Sequence, residues 1–187
     1  MQRTCGTWFL ARLAQVDGKL NLMPEKRIPS NSTLALQHRV DVFNRNYGHT
    51  IDDDALEEWP AFFLDNARYM ITTRQNHEEN MPVGLILCDN RGMMEDRVSA
   101  LRVANLFEPH SYRHLIDPPI ITDQQKGEIS AKTSFSCFRT TQGSAPEIFC
   151  TGKYLDRIID DGKKLKFLER IVVCDSERID TLIVIPL

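Results

Sequence analysis

Apolar residues recur at helical spacing in the first half of this chain and alternate at strand spacing in the second. Leu36, Val40, Phe43, Tyr47 and Ile51 follow one another at intervals of four and three, one face of a helix. Ser32 offers that helix an N-cap. Asp52-Asp53-Asp54 ends it and precedes Ala55-Leu56-Glu57-Glu58-Trp59, the expected start of a second helix with Leu56, Trp59 and Phe63 inward. The three acids are therefore expected to cap that helix and complement its dipole rather than to hold metal. Residues 67–73 have strand composition, residues 76–80 form a polar loop, and residues 83–87 are a second apolar run. Asp89 or Asn90 can cap a third helix with Met94, Val98 and Leu101 inward.

Beyond His110 the period changes to two. Ile129, Ala131, Thr133, Phe135 and Cys137 alternate with Ser130, Lys132, Ser134 and Ser136. Gly143 with Pro146, and later Asp161-Gly162, mark hairpin turns. Leu165, Phe167, Ile171 and Val173 are expected on one face of the last strand, with Lys164, Lys166, Arg170 and Val172 on the other. Helices followed by long hairpin-linked strands predict an α+β fold. Its form is a cone of the cystatin or nuclear-transport-factor-2-like kind, with amino-terminal helices packed in a curved antiparallel sheet. Residues 1–31 lack this periodicity and carry Gly6, Gly18, Pro24 and Pro29. They read as an appendage, either disordered or a start-site artefact upstream of Met23, and residues 32–187 as a single domain.

Composition narrows the function. Of 187 residues, 42% are hydrophobic and 26% charged, a globular balance. Lys and Arg number 23 against 26 Asp and Glu, for a net charge of −3 without a basic stripe, which argues against nucleic acid. No apolar run is long enough to cross a bilayer, and Trp8-Phe9-Leu10-Ala11 is too soon interrupted by Arg12 to act as a signal peptide. The five cysteines form no C-x-x-C pair and are expected to be reduced thiols in a cytoplasmic protein.

Catalytic motifs are missing. The chain has no G-x-S-x-G elbow, phosphate loop or dinucleotide fingerprint. His110 and His114 share one face of an extended segment, but at roughly 3.3 Å per residue they lie about 13 Å apart, too far to share an ion. Tyr69, Asp52 and His110 are conceivable members of an acid–base set inside a cone. Arg97, Arg113, Asp156, Glu169 and Asp175 are charges in apolar stretches, where an unpaired charge is costly. Internal ion pairs and subunit contacts both answer that cost. The closing run from Thr181 to Leu187 is apolar and is expected to tuck against protein.

Several segments resemble the β (small) subunits of aromatic-ring-hydroxylating Rieske dioxygenases. They are Ala55-Leu56-Glu57-Glu58-Trp59-Pro60-Ala61-Phe62-Phe63 with Ala67-Arg68-Tyr69, then Thr73-Arg74-Gln75-Asn76, and Met94-Glu95-Asp96-Arg97-Val98 with Leu101-Arg102. The likeness continues in Arg113-His114, Gly152-Lys153-Tyr154-Leu155-Asp156 and Glu169-Arg170-Ile171-Val172-Val173-Cys174-Asp175-Ser176. Together they cover residues 34–187. Cys174-Asp175-Ser176, Asp180-Thr181-Leu182 and Ile185-Pro186-Leu187 look most like the terephthalate 1,2-dioxygenase branch.

The resemblance implies a cone-fold subunit without a catalytic centre of its own. It implies a partner α (large) subunit carrying a Rieske [2Fe-2S] cluster and a mononuclear iron, assembly as α3β3 with a β trimer, and electrons from NADH through a reductase or ferredoxin. The substrate implied is an aromatic carboxylate. The chain agrees in lacking Cys-x-His with a later Cys-x-x-His, so no cofactor is expected on it. Arg97, Arg113, His114 and Asp175 become the expected β–β or β–α contacts. The competing readings are a free-standing isomerase or dehydratase, with a cavity lined by Tyr69 and His110, and a small-ligand-binding cone.

Overall fold

Helix α1 (Asn31–Asp52) buries Leu36, Val40, Tyr47 and Ile51, the stripe expected from their spacing, and begins one residue before Ser32. The computed structural model describes residues 31–103, 108–177 and 183–187. Apart from Asn31, the appendage expected over residues 1–31 lies outside the described residues. Gly48 lets α1 approach the sheet, since a Cβ there would meet Ile116 Cδ1 at 2.8 Å.

The second helix is shorter than its pattern suggested. Turns lead to a 3-10 turn at Trp59–Phe62, although Leu56, Trp59 and Phe63 are all buried as expected. The three acids do not cap it. The residue at its N-cap is Glu58, which makes no side-chain cap bond. Because α1 runs on to Asp52, that carboxylate stands at a helix C-terminus, where the dipole disfavours it, and it is held instead by His114. Asp54 adopts φ 57° and receives Arg102 on its carboxylate and its carbonyl.

β1 (Phe63–Thr73) leads into α2 (Arg74–Glu78), where a polar loop was expected; Thr73 caps this turn by accepting from the Asn76 N–H. β2 (Ile86–Cys88) pairs antiparallel with β1. α3 (Arg91–Val103) buries Met94, Val98 and Leu101, and Asn90 Oδ1 accepts from the Met93 N–H at its start.

The strands β3 (His110–Ile116), β4 (Ile120–Gln125), β5 (Glu128–Thr141), β6 (Glu147–Asp160) and β7 (Leu165–Cys174) complete one curved sheet in the order β2-β1-β7-β6-β5-β3. β4 shares the β3 edge of β5, beyond Pro118 and Pro119, which lack the N–H that would continue the strand. The hairpins turn at Gly143 (φ 77°) and Gly162 (φ 85°), as expected. One pair departs from the antiparallel rule: β1 runs parallel to β7, because the chain reaches β7 only after the helices and the whole meander. α1, α3 and the inner faces of the strands share one apolar cluster, which is the interior of the cone. No helix among the described residues is long and apolar enough to cross a membrane.

Candidate functional site

The last strand holds the main surprise of the interior. Strict alternation put Arg170 on the polar face of β7, but the β6–β7 register shifts between Arg157 and Ile158, leaving Leu168 as an extra residue. The bulge reverses the phase. Phe167 points inward before it, and Arg170, Val172 and Cys174 are buried after it. Arg170 Nε and Nη2 donate to the two Asp156 carboxylate oxygens at 2.8 Å each, and Nη2 also donates to Asn44 Oδ1 at 2.7 Å. Its guanidinium lies 4.0–4.2 Å from the ring centroids of Phe167, Tyr154 and Tyr47.

Burial works against the Arg170 charge, but Asp156 more than restores it and the pKa rises above the usual guanidinium value. The same burial pushes the Asp156 carboxyl up while Arg170 pulls it down. Two short bonds to a guanidinium held in an aromatic box keep the pair ionised. No motif announced this cluster. Asp156, expected to be paired, was its only sequence signal.

Around the cation, Tyr47, Trp59, Phe63, Tyr69, Tyr154 and Phe167 pack with no exposure. The closing residues Ile183, Val184, Ile185 and Leu187 are buried in the same cluster, as their apolar character suggested. The Tyr47 and Tyr69 hydroxyls donate to the Leu187 carbonyl oxygen at 2.8 and 3.1 Å, and Trp59 Nε1 donates to the Tyr47 hydroxyl. Burial raises the pKa of both tyrosines, that of Tyr69 strongly, so neither is primed to give up a proton.

The members of the conceivable acid–base set each have separate partners. Tyr69 is bound to Leu187. Asp52 accepts from the His114 backbone N–H and meets His114 Nδ1 at 2.6 Å. His110 places Nδ1 2.8 Å from the Glu108 carbonyl and its ring 5.0 Å from that of Tyr112. His110 and His114 do share a face of β3, with Tyr112 between them. Cys88, Cys137, Cys150 and Cys174 are buried free thiols, and burial pushes the Cys137 thiol up. Among the described residues no group of three His, Cys, Asp or Glu is arranged to hold a metal ion.

The expected contact residues divide into two kinds. The His114 side chain is 1% exposed and Arg97 Nη2 donates to the Ile183 carbonyl at 2.7 Å, so both are engaged within the chain's own packing. Arg113 is 62% exposed and reaches Asp52 only at 3.7 Å. Asp175 is 40% exposed and binds Arg74 and the Thr151 hydroxyl. Glu169, another charge set in an apolar stretch, approaches Arg68 at 3.8 Å.

Two recesses open on the outside. One of about 290 Å³ lies between α1 and β3, lined by Arg45, His49, Asp52 and His114 among others. The other, about 700 Å³, lies between Phe43 of α1, the segment before β1 and the start of β7. Tyr69 and His110 line neither of them.

The family model described as "Ring hydroxylating beta subunit" matches residues 48–181. The chain is 41% identical to the terephthalate 1,2-dioxygenase terminal oxygenase component subunit beta 2 of a Comamonas species, over 80% of this chain and 97% of that one. It is 34% identical to the anthranilate 1,2-dioxygenase small subunit of Burkholderia cepacia, over 77% and 89%. A crystal structure from Novosphingobium aromaticivorans, assigned as the β subunit of an aromatic-ring-hydroxylating dioxygenase, superposes with a TM-score of 0.77 at 35% identity, covering 83% of this chain and 99% of that one.

Proposed function

Because the chain belongs to the ring hydroxylating β-subunit family, we propose that it is the structural, non-catalytic β subunit of a Rieske non-haem iron oxygenase that acts on a terephthalate-like aromatic carboxylate. The observation that carries the scaffold role is the interior of the cone. Where a cone-fold enzyme keeps a cavity, this chain places Arg170 in its aromatic box and Leu187 under Tyr47 and Tyr69. A cone whose centre is occupied by its own side chains suits a subunit that holds others in place.

In this reading the Rieske [2Fe-2S] cluster and the mononuclear iron reside in the α subunit, and this chain binds neither. Its sequence has no Cys-x-His paired with a later Cys-x-x-His, and the ligands of a Rieske cluster are two cysteines and two histidines. The assembly is α3β3, with the β subunits forming a trimer and a reductase or ferredoxin feeding electrons from NADH. Residues 32–187 form the family domain, and the complex works in the cytoplasm. Arg113 and Asp175 offer exposed charge for contacts between subunits, while Arg97 and His114 shape the surface from beneath.

Co-expression with the large subunit, followed by native mass and iron analysis, tests this. A complex near α3β3 with all iron lost when α is removed supports the proposal. A stable β-only oligomer that ignores α overturns it.

A further inference from the structure

Arg170 has five N–H donors, and its neighbours account for three of them. Nε donates to one Asp156 oxygen, while Nη2 serves the other oxygen and Asn44 Oδ1. Nη1 is fully buried and has no hydrogen-bond partner among the described residues. The Tyr154 hydroxyl is in the same position. Its ring is covered by Phe135, stacked 4.3 Å away, and by the Arg170 guanidinium at 4.1 Å. A phenol oxygen stands at the edge of its ring, so this hydroxyl lies within one water's span of the guanidinium over that ring. Burial pushes the Tyr154 pKa well above its ordinary value, so the hydroxyl keeps its proton. Two donor groups therefore meet without an acceptor, in an interior where an unmade hydrogen bond is costly. Aromatic faces attract the charge but accept hydrogen bonds only weakly.

We propose that the centre of the cone binds a single ordered water, sealed from solvent, which accepts from Arg170 Nη1 and the Tyr154 hydroxyl and donates to the Tyr47 hydroxyl. The Tyr47 oxygen qualifies because it accepts from Trp59 Nε1 and donates to the Leu187 carbonyl, which leaves it one lone pair. The same guanidinium lies 4.2 Å from the Tyr47 ring, between the two tyrosines. Three partners are the usual complement of a buried water. Charge selects water over an anion. Asp156 already neutralises Arg170, so a chloride or carboxylate would carry an uncompensated charge into the core. The water joins α1, β6 and β7 at one point, and it stands or falls independently of the β-subunit reading.

The experiment is a high-resolution crystal structure of the full-length chain, alone or in its complex, from crystals grown in bromide, together with thermal melting of Tyr154→Phe. The expected result is a spherical density peak within hydrogen-bond distance of Arg170 Nη1 and the Tyr154 oxygen, without anomalous bromide signal. An anomalous peak there overturns the proposal by assigning the site to an anion. Nη1 closed directly on the Tyr47 hydroxyl, with no density beside it, overturns it as well. The melt reads the same question through its sign. With the water in place, Tyr154→Phe strips it of a partner and melts about 2–4 °C below wild type. A hydroxyl without a partner is a burden on the fold, so a variant that melts at or above wild type overturns the proposal.

Discussion

Arg170 and Asp156 form a bidentate ion pair with neither side chain exposed to solvent, Nε to Oδ1 and Nη2 to Oδ2 both at 2.8 Å. The pair links β6 to β7 at matched positions of the ladder, and Asn44 ties it to α1. One cation thus registers a helix against two strands at the centre of the cone. Desolvation makes such a pair a poor source of net stability, but losing either partner strands a charge in the core.

Arg170→Met or Asp156→Leu alone is expected to cost about 3–5 kcal/mol in urea unfolding, since each leaves one buried charge unpaired. The double variant is expected to recover most of that loss. If the single variants unfold within about 1 kcal/mol of wild type, the pair is not closed to water as described.

Gly152 and Gly143 separate two reasons for glycine. A Cβ at Gly152 would sit 2.2 Å from the Val173 carbonyl oxygen, a backbone atom of the paired strand. Gly143 meets nothing within 4 Å but holds φ 77° in its hairpin. Gly152→Ala is expected to break the β6–β7 pairing and cost at least the ~1–3 kcal/mol of core overpacking. Gly143→Ala carries only left-handed strain of about 1–2 kcal/mol. Thermal melts of the two side by side check the order.

Sequence periodicity was enough to read α1, α3, the two hairpins and the inward face of β5, because each repeats one period without interruption. It failed where the backbone breaks period. The bulge at Leu168 inverted the phase of β7 and hid Arg170, and the left-handed turn at Asp54 replaced the start of a helix. The parallel β1–β7 pair joins segments more than a hundred residues apart, beyond the reach of any local pattern. Asp156 and Asp175 stood out as charges in apolar runs, but their partners Arg170 and Arg74 are set by the fold alone.

Glu57 gives a signed pH dependence. Its hydrogen bond to Arg102 lowers its pKa from about 4.5 to about 2. A carboxylate whose pKa is lower in the folded state binds fewer protons there than in the unfolded chain. Its contribution is therefore present above pH 4.5 and is lost as pH falls toward 2. The stability gap between wild type and Glu57→Gln is expected to narrow steadily over that window. A gap that widens on acidification would reverse the assignment.

His114 and Arg113 are neighbours with separable roles. His114→Ala removes the ring that meets the buried Asp52 carboxylate and is expected to cost about 1–3 kcal/mol in the isolated chain. Arg113→Ala, at an exposed side chain, is expected to stay within about 0.5 kcal/mol of wild type. If Arg113 contributes to a subunit contact, its loss appears instead as weaker assembly on size-exclusion chromatography. An intact assembly at every dilution would remove Arg113 from the interface.

Tyr69→Phe decides between scaffold and catalyst. The hydroxyl donates to the Leu187 carbonyl at 3.1 Å and accepts from the Leu187 N–H at 3.0 Å, entirely inside the core. Removing it leaves a buried N–H without its acceptor, at a cost of about 1–3 kcal/mol. The isolated chain should therefore melt earlier. Turnover of the assembled oxygenase, normalised to α, should hold near the wild-type value, because a group buried under Leu187 cannot reach substrate. Turnover reduced tenfold or more in an intact complex would mean that the cone interior takes part in the chemistry, and the scaffold reading would fall.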